Sequence, residues 1–427
     1  MGEAPALTEQ QRGELRQLGH VDILIGIPSF DNARTIGHVV RAVQAGLAKY
    51  FPAERSAVLN SDGGSRDGTP DVVRSASIDN YRTILAAHPL LPVHRIVTPY
   101  HGIPGKGSAL RTVFAAARAV GARACAVVDA DLRSITPEWV DLLITPVLED
   151  GYDFVAPLYH RHKFDGTITN SIVYPVTRAL YGKRVRQPIG GDFGFSARLA
   201  DHYLSQDVWN TDVARFGIDI WMTTTAITGG FGICQSFLGA KIHDVKDPGV
   251  DLSAMLVQVV GSVFALMEGN EQLWRSVVDT EPVPTFGLEY AVGLEPLQVN
   301  VDRMIGVFRN AAQELAPVWE RVLHPEAFRQ VQALAPLPPA VFRYPTELWV
   351  RTVYDVAAAF HKRTLNRPHL LRALTPLYLG RTASFVLETA DASGEDVETT
   401  IEGLCRGFEA MKPYLVDRWD SNKGGGL

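Results

Sequence analysis

From residue 21 onward, short apolar runs alternate with segments of helical period, a pattern that predicts a largely parallel sheet covered by helices. Asp22 to Ile27 (DILIGI) reads as a first buried strand, stopped by Pro28-Ser29-Phe30-Asp31-Asn32. Ile36, Val39, Val40, Val43 and Leu47 then recur at helical spacing, which commits one helix face to the sheet. The cycle repeats with Ser56 to Leu59 before the Gly-rich turn Asp62 to Gly68, and with Val93 to Val97 before the loop Tyr100 to Gly107. A helix marked by Leu110, Val113, Phe114 and Ala117 follows, and then the strand Ala124 to Val128, which ends at Asp129-Ala130-Asp131.

Beyond Asp131 the order is less regular, with strands expected near Phe154 to Pro157 and Gly232 to Leu238. After about residue 250 strand signals fade. Amphipathic stretches at Val301 to Leu315, Leu348 to Phe360 and Val397 to Tyr414 take over, separated by Pro-rich connectors at 281–284 and 335–339. The expected organisation is a polar helical segment over 1–20, a sheet domain over 21–250, an all-helical region over 251–420 and a tail over 421–427.

Composition narrows the class. The chain has 427 residues, 46% hydrophobic and 21% charged, with 41 basic against 47 acidic side chains and a net charge of -6. Such a chain buries a large core, which excludes a disordered, collagenous or disulfide-stapled protein. No dense Lys/Arg run marks a nucleic-acid binder. The longest apolar stretch, Leu252 to Met267, is interrupted by Ser253, Gln258, Gly261 and Ser262, so no membrane span is expected. Cys125, Cys234 and Cys405 form no CxxC pattern, and with no signal-like apolar start the expectation is a cytoplasmic protein.

The candidate chemistry sits where the expected strands end. In an open α/β sheet ligands gather at the carboxyl ends of strands, so Asp129-Ala130-Asp131 faces the place of a nucleotide. Hard carboxylate oxygens there suit Mg²⁺ or Mn²⁺ on a diphosphate; an isolated DxD more often caps a turn. Ser61 to Thr69 (SDGGSRDGT) also follows a strand, and alone reads as a turn rich in Asx hydrogen bonds. Gly102 to Gly107 (GIPGKG) opens a helix, so backbone N–H groups and Lys106 can meet an anion. It lacks the spacing of a P-loop.

The order strand, Pro28-Ser29-Phe30, strand, DGGSRDGT, strand, GKG, strand, DAD resembles the GT-A nucleotide-sugar glycosyltransferases, with their Rossmann-like mixed sheet. Tyr159 to Thr169 (YHRHKFDGTIT), Gln187 to Asp192 (QPIGGD), Phe216 to Ile220 (FGIDI) and Lys241 to Gly249 (KIHDVKDPG) sharpen this. In this order they resemble the retaining synthases of mannosylglycerate, glucosylglycerate and glucosyl-3-phosphoglycerate, over roughly residues 21–250.

The resemblance implies a fold, α/β GT-A with an all-helical C-terminal extension, and a set of roles. Asp131 and His243 would hold the metal. Pro28, Ser29 and Asp62 would bind the nucleobase, Lys106 the diphosphate, and Asp129 with Ala130 the ribose and sugar. Gly190, Gly191 and Asp192 resemble the donor-sugar loop, and Asp219 matches the acidic residue beside the transfer centre, so Asp192 and Asp219 are the catalytic candidates. Arg161, Asp165 and Thr169 fit the family's acceptor spacing of four, where a helix-surface pair is the plain alternative. Gly63 departs from the common Asp-Asp-Gly-Ser motif. Arg184 and Arg186 precede QPIGGD, where phosphoglycerate-using relatives contact the acceptor phosphate.

The expected activity is metal-dependent retaining transfer of glucose or mannose from a UDP- or GDP-sugar to D-glycerate, by a homodimer, in compatible-solute synthesis. The alternatives are 3-phosphoglycerate as acceptor, or a nucleotide-sugar-binding scaffold without catalysis.

Overall fold

The computed structural model describes residues 6–76, 94–99 (backbone only), 105–242, 253–290, 297 and 299–421. It divides the chain into two compact units. The first comprises Met1–Arg161, Val185–Asp244 and Pro282–Leu294; the second comprises His162–Arg184, Val245–Glu281 and Glu295–Leu427. The chain therefore crosses between units several times, whereas the sequence pattern suggested one boundary near residue 250.

The first unit is built on an eight-stranded sheet. Its strands are β1 (Ile23–Ser29), β2 (Ser56–Asp62), β3 (His94–Pro99), β4 (Ala124–Val127), β5 (Phe154–His160), β6 (Phe193–Ser196), β7 (Ile233–Ala240) and β8 (Thr285–Phe286). The spatial order is β8-β7-β5-β6-β4-β1-β2-β3. All neighbours are parallel except those of β6, which runs antiparallel to both β4 and β5. This one reversal matters for function. Phe193 pairs with Val127, so the loop that enters β6 arrives at the same edge where the parallel strands deliver their carboxyl ends.

The apolar runs become strands because both faces are covered. On one side α2 (Ile36–Tyr50) and α5 (Glu138–Leu148) enclose a core that includes Ile25, Ile27, Val39, Val43, Val58, Ala126, Leu143 and Val155. Each fully buried aliphatic side chain there contributes roughly 1.5–3 kcal/mol. On the other side α4 (Lys106–Val120) lies so close to β1 that a Cβ on Gly26 would stand 2.6 Å from both methyls of Val113. The N-terminal helix α1 (Glu9–Leu18) starts with a capping box between Thr8 and Gln11. Three shorter helices, α3 (Thr69–Ser75), α6 (Ala197–Ser205) and α7 (Ile218–Thr228), complete the described part of this unit.

The second unit is helical, with long helices at Ser253–Gly269, Val301–Glu314, Thr346–His361, Arg367–Glu388 and Gly394–Ala410. Its interior is aromatic: Trp319, Trp349, Tyr344, Tyr354 and Tyr378 are all buried. Their polar tips are paired: the Trp319 indole N–H donates to Ala373 O at 3.0 Å and the Tyr354 hydroxyl to Phe408 O at 2.7 Å, while the Tyr344 and Tyr378 hydroxyls pair with those of Thr352 and Thr167. No helix among the described residues is long and apolar enough to cross a membrane. The three cysteines are buried free thiols.

Candidate functional site

At the carboxyl edge of the first unit's sheet, five charged side chains from five chain segments form one network. The Lys106 ammonium lies 2.8 Å from Asp129 Oδ1 and 3.1 Å from Asp219 Oδ1, and donates to Gly191 O at 3.3 Å. The Lys241 ammonium donates to Asp129 Oδ2 at 2.8 Å, to Asp192 Oδ2 at 2.8 Å and to Gly190 O at 2.7 Å. Asp129 is thus shared, one oxygen to each lysine. Asp192 closes the ring: its Oδ1 accepts the Asp129 backbone N–H at 2.7 Å, and its Oδ2 also accepts the Tyr159 hydroxyl.

Local structure puts each group in place. Lys106 opens α4 between two glycines because the backbone of Val213 to Arg215 packs on that turn. A Cβ on Gly105 would meet Ala214 O at 2.6 Å, one on Gly107 would overlap Val213 O, and the Gly107 N–H donates to Arg215 O. The same backbone leads into α7, whose first turn carries Asp219. The GKG and FGID motifs meet through this contact.

Exposure separates a front from a back. The side chains of Lys106, Asp129 and Asp219 keep 14%, 22% and 14% of their surface, while Asp192 keeps 0% and Lys241 4%. Asp219 and Lys106 can therefore meet a ligand, whereas Asp192, Lys241 and Tyr159 stand behind them.

The electrostatics follow from three carboxylates sharing two ammonium groups in a partly desolvated place. Burial opposes the charge on Lys106, but the Asp129 and Asp219 carboxylates outweigh it and hold the ammonium well above the ordinary lysine value. Lys241 is raised in the same way, burial being overcome by Asp129 and Asp192. For Asp129 burial is overcome by Lys106 and Lys241, which hold it well below the usual carboxylate range. Asp192 and Asp219 go the other way, because burial exceeds what Lys241 and Lys106 return to them.

Pro28, Ser29 and Asp62, expected to meet a nucleobase, lie at the ends of β1 and β2. Asp62 accepts four bonds: Gly64 N–H at 2.9 Å and Ser65 N–H at 2.8 Å on Oδ1, and the Ser29 and Ser65 hydroxyls at 2.9 and 2.7 Å on Oδ2. The turn takes up the carboxylate that the motif suggested for a base, and Gly63 donates its N–H to Ser29 O at 2.8 Å. Beside Pro28 and Ser29, Phe30 is 61% exposed. Its loop is pinned by Asp31 N–H on Ser65 Oγ and Arg66 N–H on Asp31 Oδ1, with Asp31 at φ 53°. Ala130 is buried, and its carbonyl accepts the Thr35 hydroxyl at 2.8 Å.

A divalent cation needs oxygen lone pairs not already engaged. Asp129 has both oxygens on ammonium groups. Asp131 is half-buried and makes no side-chain hydrogen bond or ion pair among the described residues, so its carboxylate fits a hard cation. His243, the other expected ligand, lies outside the described residues, as do Ile103, Pro104 and most of KIHDVKDPG. Among the described residues no group of three His, Cys, Asp or Glu side chains is placed to hold a metal.

The acceptor candidates divide between the units. Arg161, in the first, lies with its guanidinium carbon 5.3 Å from the centre of the Tyr159 ring. Arg186, also in the first, donates its backbone N–H to Gln235 Oε1 at 3.3 Å. In the second unit Asp165 Oδ1 accepts the Gly166 N–H at 2.8 Å, Thr169 opens a π-helical turn over Thr169–Val173, and the Arg184 Nε–H donates to Thr280 Oγ1 at 3.1 Å. Residues 161–166 are turn and coil, so the spacing of four is not a helical face.

Lys241, Tyr159 and Phe30 each lie in one of the quoted motifs, but no role was expected of them. The available signal for Lys241 was a lone charge directly after the apolar run ICQSFLGA.

No protein-family model matches the chain, and no curated protein matches it by sequence. Solved structures similar to it include glucosyl-3-phosphoglycerate synthase from Mycobacterium tuberculosis in complex with phosphoglyceric acid, at TM-score 0.43 and 19% identity over 62% of this chain and 85% of that one. The same enzyme with Mn²⁺, uridine diphosphate and glucosyl-3-phosphoglycerate matches at 0.42 and 19% over 63% and 86%. With Mg²⁺ and uridine diphosphate it matches at 0.40 and 21% over 62% and 85%. A likeness of this degree assigns nothing to the chain, whose reading rests on its own side chains.

Proposed function

We propose that the chain is a hexosyltransferase that moves glucose or mannose from a nucleoside diphosphate sugar to the hydroxyl of D-glycerate with retention at the anomeric carbon. The observation that carries the proposal is the front of the charged network at the sheet's carboxyl edge: Lys106 beside Asp129 and Asp219, with Asp131 two residues on in the chain and bonded to no described side chain. Bonds of 3.1 to 3.3 Å from Lys106 to Asp219 and Gly191 are the looser ones of the network, so a diphosphate can draw this ammonium toward itself. The exposed Phe30 ring offers a stacking face for the base, on a loop its hydrogen bonds hold still.

The donor sugar would lie beside the Gly190–Gly191 loop, whose carbonyls are held by the two lysines. Asp219 orients the sugar and the incoming hydroxyl. Attack of that hydroxyl on the anomeric carbon breaks the bond to the diphosphate oxygen, and its proton passes to the leaving phosphate. Lys106 stabilises the charge that develops on that phosphate. Asp131 would hold Mg²⁺ or Mn²⁺, which supplies further positive charge there when bound. Arg161 would meet the acceptor carboxylate. Asp192 acts through Asp129 and does not touch substrate.

The test is product formation from UDP- or GDP-glucose and UDP- or GDP-mannose with D-glycerate or 3-phosphoglycerate and Mn²⁺ or Mg²⁺. A retained glycoside of D-glycerate is expected. Transfer only to 3-phosphoglycerate would move the assignment to the phosphorylated acceptor, and diphosphate release in no combination would overturn the reading.

A further inference from the structure

Lys241 belongs to none of the expected roles, yet all of its donors are engaged within the charged network. An ammonium has three N–H donors. Lys241 directs them at Asp129 Oδ2, Asp192 Oδ2 and Gly190 O, at 2.7 to 2.8 Å. Its side chain is 4% exposed and lies over the Tyr159 ring, 5.2 Å from the centroid. No donor remains for a ligand, and no open surface leads to one. Lys106 also has three partners, but two of its bonds are longer, at 3.2 and 3.3 Å, and its side chain is 14% exposed.

What Lys241 holds is the site's geometry. Gly190 and Gly191 present successive carbonyls to the two lysines, and Asp129 hangs between them. A Cβ on Gly191 would overlap Asp129 Oδ2 and stand 3.1 Å from the Lys241 ammonium, so carboxylate, loop and lysine form one packed unit. We propose that Lys241 is a positioning residue of the transfer reaction, which fixes Asp129 and the Gly190–Gly191 backbone for the donor sugar without touching substrate. This rests on the glycosyltransferase reading above.

Replacing Lys241 alone leaves Asp129 and Asp192 facing one another, so loss of activity could reflect lost folding. The test therefore compares wild type, Lys241→Met, Asp192→Asn and Lys241→Met/Asp192→Asn by thermal melting and by steady-state kinetics with the sugar donor that wild type uses and Mn²⁺. The expected result is that the double variant melts close to Asp192→Asn, yet its kcat/KM stays about 100-fold below that of Asp192→Asn, the scale of a misplaced reacting group. The loss should fall in kcat, with the donor KM within about threefold of that of Asp192→Asn, because Lys241 makes no contact with substrate. If the double variant and Asp192→Asn agree in kcat/KM within about threefold, Lys241 is structural and the inference falls alone. If wild type transfers no sugar, the glycosyltransferase reading falls and takes this inference with it.

Discussion

Gly191 packs against the Asp129 carboxylate so closely that no other residue fits: an added Cβ would overlap Asp129 Oδ2, and the backbone there has φ 91°. Both constraints act at once on Gly191→Ala. The left-handed conformation costs about 1–2 kcal/mol for a residue with a Cβ, and the overlap must displace Asp129 from one of its lysines. The variant is expected to lose about 2–4 kcal/mol of stability, read by denaturant unfolding. Its transfer activity should fall further than the population of folded protein does.

The two aspartates of the DAD motif have different surroundings, and substitution should separate them. Asp131 bonds no described side chain, so Asp131→Ala should melt within a few degrees of wild type while abolishing metal-dependent turnover. Asp129→Asn instead removes the charge that Lys106 and Lys241 share. That variant is expected to be destabilised by about 3 kcal/mol, as when one partner of a buried ion pair is removed, and to lose activity as well. Melting curves with and without Mn²⁺ check both, since only Asp129→Asn should retain the stabilisation given by the metal.

The carboxyl of Asp219 is raised above the ordinary aspartate value, chiefly by burial, with Lys106 acting against the rise and Asp129 with it. If the charged form orients substrate, kcat/KM declines as pH falls, with a midpoint above the ordinary aspartate value. Lys106→Met removes the cation that favours the charged form, so the decline should move to still higher pH on top of a lower maximum. A profile of Lys106→Met with an unshifted acid limb would separate Asp219 from that titration.

The strands that end at the site were legible because β1, β2, β4, β5 and β7 are apolar runs closed by polar or turn-forming residues, and burial of both faces does require such runs. β6 was not. FGFS is four residues with a glycine inside, too short to carry a period, and its antiparallel direction is a property of its neighbours. The Asp62 turn was readable since its partners are two and three residues away, apart from Ser29. Lys241 was not, because a buried lysine is written with the same letter as a surface one. Its carboxylate partners are 49 and 112 residues distant in the chain. The placing of His162–Arg184 in the helical unit was hidden for the same reason: Arg178 and the carboxylates that pair with it are more than 200 residues apart.

Arg178 itself supports a last prediction, on the stability of the second unit. Its side chain is 2% exposed, and it donates from Nη1 to Glu402 Oε2 at 2.5 Å, from Nη2 to Glu402 Oε1 at 2.9 Å and from Nε to Glu409 Oε1 at 2.6 Å. The forked bonds to Arg178 lead the causes that lower the Glu402 carboxyl to about 2. A carboxyl lowered by folding adds stability above its unfolded value, and that contribution is lost as pH falls from there toward about 2. Arg178→Met leaves two carboxylates around an apolar stem. Because both are partly open to water, the expected loss at neutral pH is about 2–3 kcal/mol, below the full range for a buried pair. The difference between wild type and variant should shrink as pH falls from about 4.5, where Glu402 protonates in the unfolded chain, toward about 2. Urea unfolding at several pH values measures this directly, and a difference independent of pH would show that Arg178 stabilises by packing and not by charge.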